Sequence, residues 1–178
     1  MNITFIGYGN VGAPLADDPT LIVDTGAVRI LTLTGNSLAY DGPALFADDR
    51  ASGDRLGLSV AVDGDLLVAG AANDDKPAGG EVGSAYVFRR GSNWQQEAKL
   101  RSSVPQAQER FGQSVAIHGS EIVVGAYCLN AAGCTGPGAV DVYRYNGAAW
   151  PHQERLVPAD AANFGHAVSY AGDNRIVV

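Results

Sequence analysis

Positive charge is scarce in this 178-residue chain. Twelve Lys and Arg residues stand against nineteen Asp and Glu, a net charge of −7. No basic stripe is available to neutralise a phosphate backbone, which argues for no nucleic acid among the partners. Long apolar runs are missing too: none approaches the roughly 20 residues that span a bilayer as a helix, so no membrane span is expected. The opening from Met1 to Gly7 has no basic segment and no long apolar core, and does not read as a secretory signal. Cysteine is limited to Cys128 and Cys134. Two thiols with no histidine nearby are too few for a tetrahedral zinc site, which leaves free thiols or a local disulfide. No segment sustains a helical apolar period, so helix content is expected near zero. What the chain does have is 23 glycines and 46% hydrophobic residues, a composition suited to an all-β fold with tight turns.

Self-similarity is the strongest signal. RLGLSVAVDGDLLVAGA from Arg55, RFGQSVAIHGSEIVVGA from Arg110 and NFGHAVSYAGDNRIVV from Asn163 align, with Gly57, Gly112 and Gly165 spaced by 55 and 53 residues. A second anchor runs through Gly26, Gly83 and Gly138, spaced by 57 and 55. A third places Trp94 and Trp150 six residues before Leu100 and Leu156. Each period carries four strand-like runs, the first two joined by tight turns at Asp63-Gly64, His118-Gly119 and Ala171-Gly172. Four antiparallel strands repeated at this spacing describe a propeller blade. The expected fold is all-β: a partial β-propeller of about three four-stranded antiparallel blades. Its divisions are a partial blade at 1–48, blades at 49–103 and 104–158, and the start of a further blade at 159–178.

The repeats resemble FG-GAP repeats, the blades of integrin α-subunit propellers and of many secreted bacterial proteins. The Phe-Gly pair appears as Phe111-Gly112 and Phe164-Gly165, and as Leu56-Gly57 in a conservative variant. The Gly-Ala-Pro element appears as Gly12-Ala13-Pro14, and without proline as Gly70-Ala71-Ala72 and Gly125-Ala126-Tyr127. The resemblance implies a non-enzymatic binding or adhesion module, secreted or at the cell surface, with a protein or glycan ligand. It also implies rings of usually seven blades, roughly 385 residues at this period. A unit of about three blades is expected to belong to a longer propeller, to support a functional domain, or to self-associate through open blade edges. In an extracellular setting, Cys128 and Cys134 are expected to close a short loop as a disulfide.

A rival motif lies at the start. Gly7-x-Gly9-x-x-Gly12 follows a strand-like run and is similar to the opening of NADP-binding Rossmann folds. That chemistry needs a helix after the glycines to hold the pyrophosphate. Here Asp18-Pro19 interrupts the following segment, and Asp24 comes only twelve residues after Gly12, too soon for a ribose-binding acid. Gly12 precedes Gly70 by 58 residues, close to the blade period. Gly7, Gly9 and Gly12 are therefore assigned to the first blade, with dinucleotide binding as the alternative.

The family often binds calcium between the first two strands of a blade. In this chain those connections are the tight turns at Asp63-Gly64-Asp65, His118-Gly119-Ser120 and Ala171-Gly172-Asp173, too short to wrap an ion that takes six to eight oxygens. No cofactor and no tight metal site are expected; Asp17, Asp18, Asp74 and Asp75 are candidates for weak calcium. The same loops, with Asp48, Asp49 and Asp54, form an acidic rim, the expected binding face. Trp94, Trp150 and Tyr40 are expected to pack between blades. No catalytic motif is present, and no catalytic residue is assigned.

Overall fold

The computed structural model of the chain describes residues 2–3, 25–74, 82–128, 136–159, 163–171 and 175–178. Among these residues there are thirteen strands and no helix. They are β1 (Asn2–Ile3), β2 (Leu31–Thr34), β3 (Ser37–Tyr40), β4 (Ser59–Asp63), β5 (Leu66–Ala71), β6 (Ser84–Arg90), β7 (Trp94–Leu100), β8 (Phe111–His118), β9 (Glu121–Ala126), β10 (Ala139–Arg144), β11 (His152–Leu156), β12 (Ser169–Tyr170) and β13 (Ile176–Val177). Four antiparallel sheets result: β1-β2-β3, β4-β5-β6-β7, β8-β9-β10-β11 and β12-β13. They are the first to fourth blades of a partial β-propeller. The two complete blades carry the same irregularity: the pairing of third and fourth strands shifts register after Val87 in one and after Val142 in the other.

Strand chemistry follows from position in the blade. β5 is apolar along most of its length because it is covered on both faces. Leu67 and Ala69 face the first blade, with Val28, Ile30, Leu45 and Phe88. Val68 faces the third blade, in a core with Val87, Leu100, Phe111, Ile122 and Trp150. This alternation is the two-residue period of a strand. Each fully buried Val, Leu, Ile or Phe side chain contributes roughly 1.5–3 kcal/mol. At the β4–β5 hairpin, Gly64 supplies the positive φ of 57° that the turn demands.

The blades are fastened to one another mainly through backbone. Leu56, Phe111 and Phe164 form parallel bridges to Gly26, Gly83 and Gly138 of the preceding blade. Their N–H groups donate to the carbonyls of Thr25, Val82 and Pro137 at 3.0, 2.8 and 2.7 Å. Ser59 Oγ donates across the next junction to the Gly112 carbonyl, and Ser114 Oγ to that of Gly165, both at 2.8 Å. The approach is so close that a Cβ on Gly70 would lie 1.9 Å from the Gly112 oxygen. Arg55, Arg110 and Asn163, the residues just before the clasp, all have positive φ, between 53° and 65°. For a non-glycine residue this costs about 1–2 kcal/mol, and asparagine tolerates it best.

Two sequence expectations change here. β1 pairs antiparallel with β2, Ile3 opposite Leu31, on the rung that Leu67 and Phe88 occupy in the second blade. Ile3 therefore holds the second-strand position earlier than the spacing from Gly12 to Gly70 implies. Residues 4–24, with Gly7, Gly9, Gly12, Asp17 and Asp18, lie outside the described residues. Tyr40 does not pack between blades: it is 68% exposed, with the Arg29 guanidinium 5.2 Å from its ring centroid. Its rung explains the difference. Tyr40 pairs with Leu31, whereas Trp94 pairs with Arg90, two residues further from the repeat glycine, where the first blade carries Leu38.

Candidate binding face

Two loop sets, from second to third strands and from fourth strands to the next blade, meet on one face. Each of the two complete blades carries a cation just before the last leucine of its fourth strand, and in the second blade that cation ties the two sets together. In the second blade this is Lys99, whose Nζ lies 2.7 Å from Asp49 Oδ2 and 2.8 Å from Asp74 Oδ2. The Tyr86 hydroxyl lies within hydrogen-bonding distance of both acids, 2.8 Å from Asp49 and 2.5 Å from Asp74, and donates its single proton to one of them. Burial and these two carboxylates push the Tyr86 phenol far above its ordinary range. Partial burial would raise the Asp49 pKa, but hydrogen bonds from Lys99 and Tyr86 outweigh it and hold the carboxyl below its usual value.

In the third blade the corresponding cation ties the loop that enters the blade to strand β10. Arg155 Nη1 donates to Asp141 Oδ2 at 2.5 Å and to Ser102 Oγ at 3.0 Å, and its Nη2 to Glu109 Oε1 at 2.5 Å. Glu109 is 1% exposed; its Oε1 also accepts from Ser102 Oγ, and its Oε2 accepts from the Gln106 N–H at 3.0 Å. Asp141 is fully buried, with Oδ1 accepting from Ser103 Oγ at 2.6 Å and lying 2.7 Å from His152 Nε2. Asp54 is the counterpart of Glu109 one blade earlier, buried and accepting from the Ala51 N–H at 2.5 Å. Burial, with Asp141 beside it, pushes the Tyr143 phenol up.

Beside Arg155 lies a cavity of about 240 Å³. Val104 and Glu109 line it from one loop set, Cys128 and Pro137 from the other, and Arg155 and Val157 from the end of β11.

Of the residues singled out from sequence, Asp74 is on this face but is buried and bonded to Lys99 and Tyr86. Asp49 joins it there, half exposed. Cys128 is buried, and no described cysteine is free. Cys134 and Asp75 lie outside the described residues. Among the described residues, no three His, Cys, Asp or Glu side chains gather as metal ligands would. At the opposite end, Asp63 Oδ2 accepts the Gly119 N–H of the next blade at 2.6 Å. His152 binds Asp141, while His118 and His166 make ring contacts with Tyr170 and Tyr127. Sequence reading missed Lys99, Glu109, Asp141 and Arg155. For all but Asp141 the signal was present in the aligned repeats, as a cation before the leucine of AKL and ERL and an acid before Arg55 and Arg110.

The profile of the FG-GAP repeat family matches residues 43–88 and 94–143, together more than half of the chain. No curated protein matches the sequence.

Proposed function

The chain belongs to the FG-GAP repeat family, and from that premise we propose that it is a non-enzymatic binding module of a secreted or cell-surface protein. Its ligand, protein or glycan, docks on the face where the two loop sets meet. The observation that carries this reading is the bracing of this face by ion pairs: Lys99 joins the two loop sets through Asp49 and Asp74, and Arg155 ties Glu109 of one set to Asp141 of β10. Ion pairs of this kind give a loop surface a fixed shape before a partner arrives, which lowers the ordering cost of binding. The extracellular setting includes a disulfide between Cys128 and Cys134 that closes the loop between them.

The test is a selection of displayed peptides, and in parallel a glycan array, against the immobilised chain. Binders should be lost with the paired variant Asp48→Lys, Val104→Asp and retained with Ser120→Lys in the opposite hairpin. Binders that ignore the first variant and depend on the second would place the partner elsewhere. Mass spectrometry of non-reduced peptides should find Cys128 linked to Cys134; two freely alkylated thiols would remove both the bond and the compartment. Calcium at the acidic loops is weak: a ligand present at its dissociation constant adds about 0.4 kcal/mol. Chelation should therefore barely move the melting temperature, and a submicromolar affinity in calorimetry would contradict this.

A further inference from the structure

We propose that the cavity beside Arg155 seats one uncharged, leucine-sized side chain of a protein partner, and that basic residues flank that side chain. This rests on the loop face being the binding surface, and it narrows the ligand there from protein or glycan to protein.

Size comes first. At about 240 Å³ the cavity is smaller than the roughly 300–1,000 Å³ of a typical small-molecule site and on the scale of a single large side chain. Its mouth is aliphatic: Val104 and Val157, 54% and 55% exposed, both line it. Pro137 completes an apolar wall.

The polar end of the cavity asks for no charge from the ligand. Both oxygens of Glu109 already accept hydrogen bonds, and Arg155 already serves Glu109, Asp141 and Ser102. A charged group entering would be desolvated without a partner of its own, so the seated side chain is neutral and apolar. A sugar fits poorly. Among the described residues no aromatic ring lines the cavity to stack against a pyranose, and of their lining side chains only Gln106 carries a neutral polar group.

The surroundings set the flanks. Two buried carboxylates, Glu109 and Asp141, meet one guanidinium here, with the His152 imidazole on the far oxygen of Asp141, in a chain whose net charge is −7. Excess negative potential at the cavity rim favours lysine or arginine on either side of the apolar anchor and opposes acidic neighbours.

The experiment is a backbone-amide NMR titration of the whole chain with four probes: the blocked tripeptides Lys-Leu-Lys, Lys-Ser-Lys and Glu-Leu-Glu, and methyl mannoside. Lys-Leu-Lys should give saturable shifts at Gln106, Gly138 and Val157 that weaken with added salt, and the other probes should leave those amides in place. Val157→Ser, an exposed site that loses apolar contact and gains no charge, should reduce the affinity severalfold, and Ser120→Lys should not change it. Equal shifts with the serine peptide would overturn the apolar seat, and equal shifts with the acidic peptide the basic flanks. Shifts from the mannoside at these amides would restore a glycan ligand. If Lys-Leu-Lys perturbs other loop-face amides and not these, the cavity is not the seat while the face still binds. Perturbation of no loop-face residue by any probe overturns the inference, and the displayed-peptide selection then decides separately whether the face itself stands.

Discussion

The junction between the first and second blades and the junction between the second and third share one backbone plan but differ in a tie between their outer strands. At the second junction, Trp150 Nε1 donates across the gap to Glu97 Oε1 at 2.7 Å, and Glu97 is held in turn by an ion pair with Arg89. At the first junction, Trp94 occupies the place of Trp150, yet its Nε1 is buried with no hydrogen-bond partner among the described residues. The counterpart of Glu97 is Asp41. Each directly follows the residue paired with the position five beyond the repeat glycine, Tyr40 opposite Leu31 and Gln96 opposite Phe88. Asp41 is one methylene shorter; its Oδ2 is also buried without a hydrogen bond, with Arg90 Nη2 3.2 Å away as an ion-pair partner. The pairing of blades therefore does not depend on this tie. Backbone contacts make the junction, and side chains adjust its strength.

Four predictions test that division. The largest effect belongs to the backbone: Gly70→Ala would drive a Cβ into the Gly112 carbonyl, while Gly64→Ala meets nothing within 4 Å and strains only its φ of 57°. Urea unfolding should show a loss above ~3 kcal/mol for the former and ~1 kcal/mol for the latter. Equal losses would mean that the close approach is not what fastens the blades.

Next comes the charge cluster of each complete blade. Arg155→Met leaves Glu109 and Asp141 buried without their cation and should cost about 3–5 kcal/mol. Lys99→Met should cost less, because the Asp49 side chain is 48% exposed and hydrates readily. A reversed order would contradict the burial argument.

The tie itself is a smaller effect. Trp150→Phe should lose about 1 kcal/mol and Trp94→Phe far less, since only the former has a hydrogen bond to lose. Asp41→Glu, by reaching Trp94, should gain about 1 kcal/mol, and the gain should vanish in a Trp94→Phe background. A gain that persists there would assign it to something other than the tie.

The smallest effect is in pH. Glu97 is held below its usual carboxylate value of 4.5, chiefly by Arg89, and Asp49 below 3.8 by Lys99 and Tyr86 against the opposing effect of burial. A carboxylate with a lowered folded pKa stabilises the fold above its unfolded value, and the contribution disappears as pH falls through the folded one. Melting temperature should therefore decline below about pH 4.5, and Glu97→Gln should flatten that slope. Tyr86 has the opposite sense. Its phenol is raised from 10.0, so stability should fall as pH climbs beyond 10, when the unfolded chain releases a proton that the folded chain keeps. A Tyr86→Phe variant with an unchanged alkaline slope would remove that assignment.

The blade architecture was legible because backbone demands leave strong marks on residue type. Gly26, Gly83 and Gly138 recur where no Cβ fits, and Phe111 and Phe164 recur beside them. The candidate face was less legible because it rests on charges that change identity between repeats. The third position after the repeat glycine is Arg29, then Tyr86, then Asp141, and its cation is Lys99 in one blade and Arg155 in the next. Each set is satisfied internally, so a search for a repeated residue passes over it. Asp74 looked like part of an open acidic rim because sequence shows charge and not the neighbouring Lys99 and Tyr86 that enclose it. Tyr40 is a different case: its place in the repeat is close to that of Trp94, but its pairing with Leu31 sets it on another rung.

The glycine clasp has a consequence for how such a chain grows. An interface made of main-chain amides, carbonyls and absent side chains is the same at both ends of the unit, whatever the rest of the unit contains. A duplicated stretch of about 55 residues thus arrives already compatible with its parent and with any sister copy, and needs no matching mutations before it docks. Loops and outer strands are then released to diverge copy by copy, as the exchange of Lys99 for Arg155 and of Asp41 for Glu97 records.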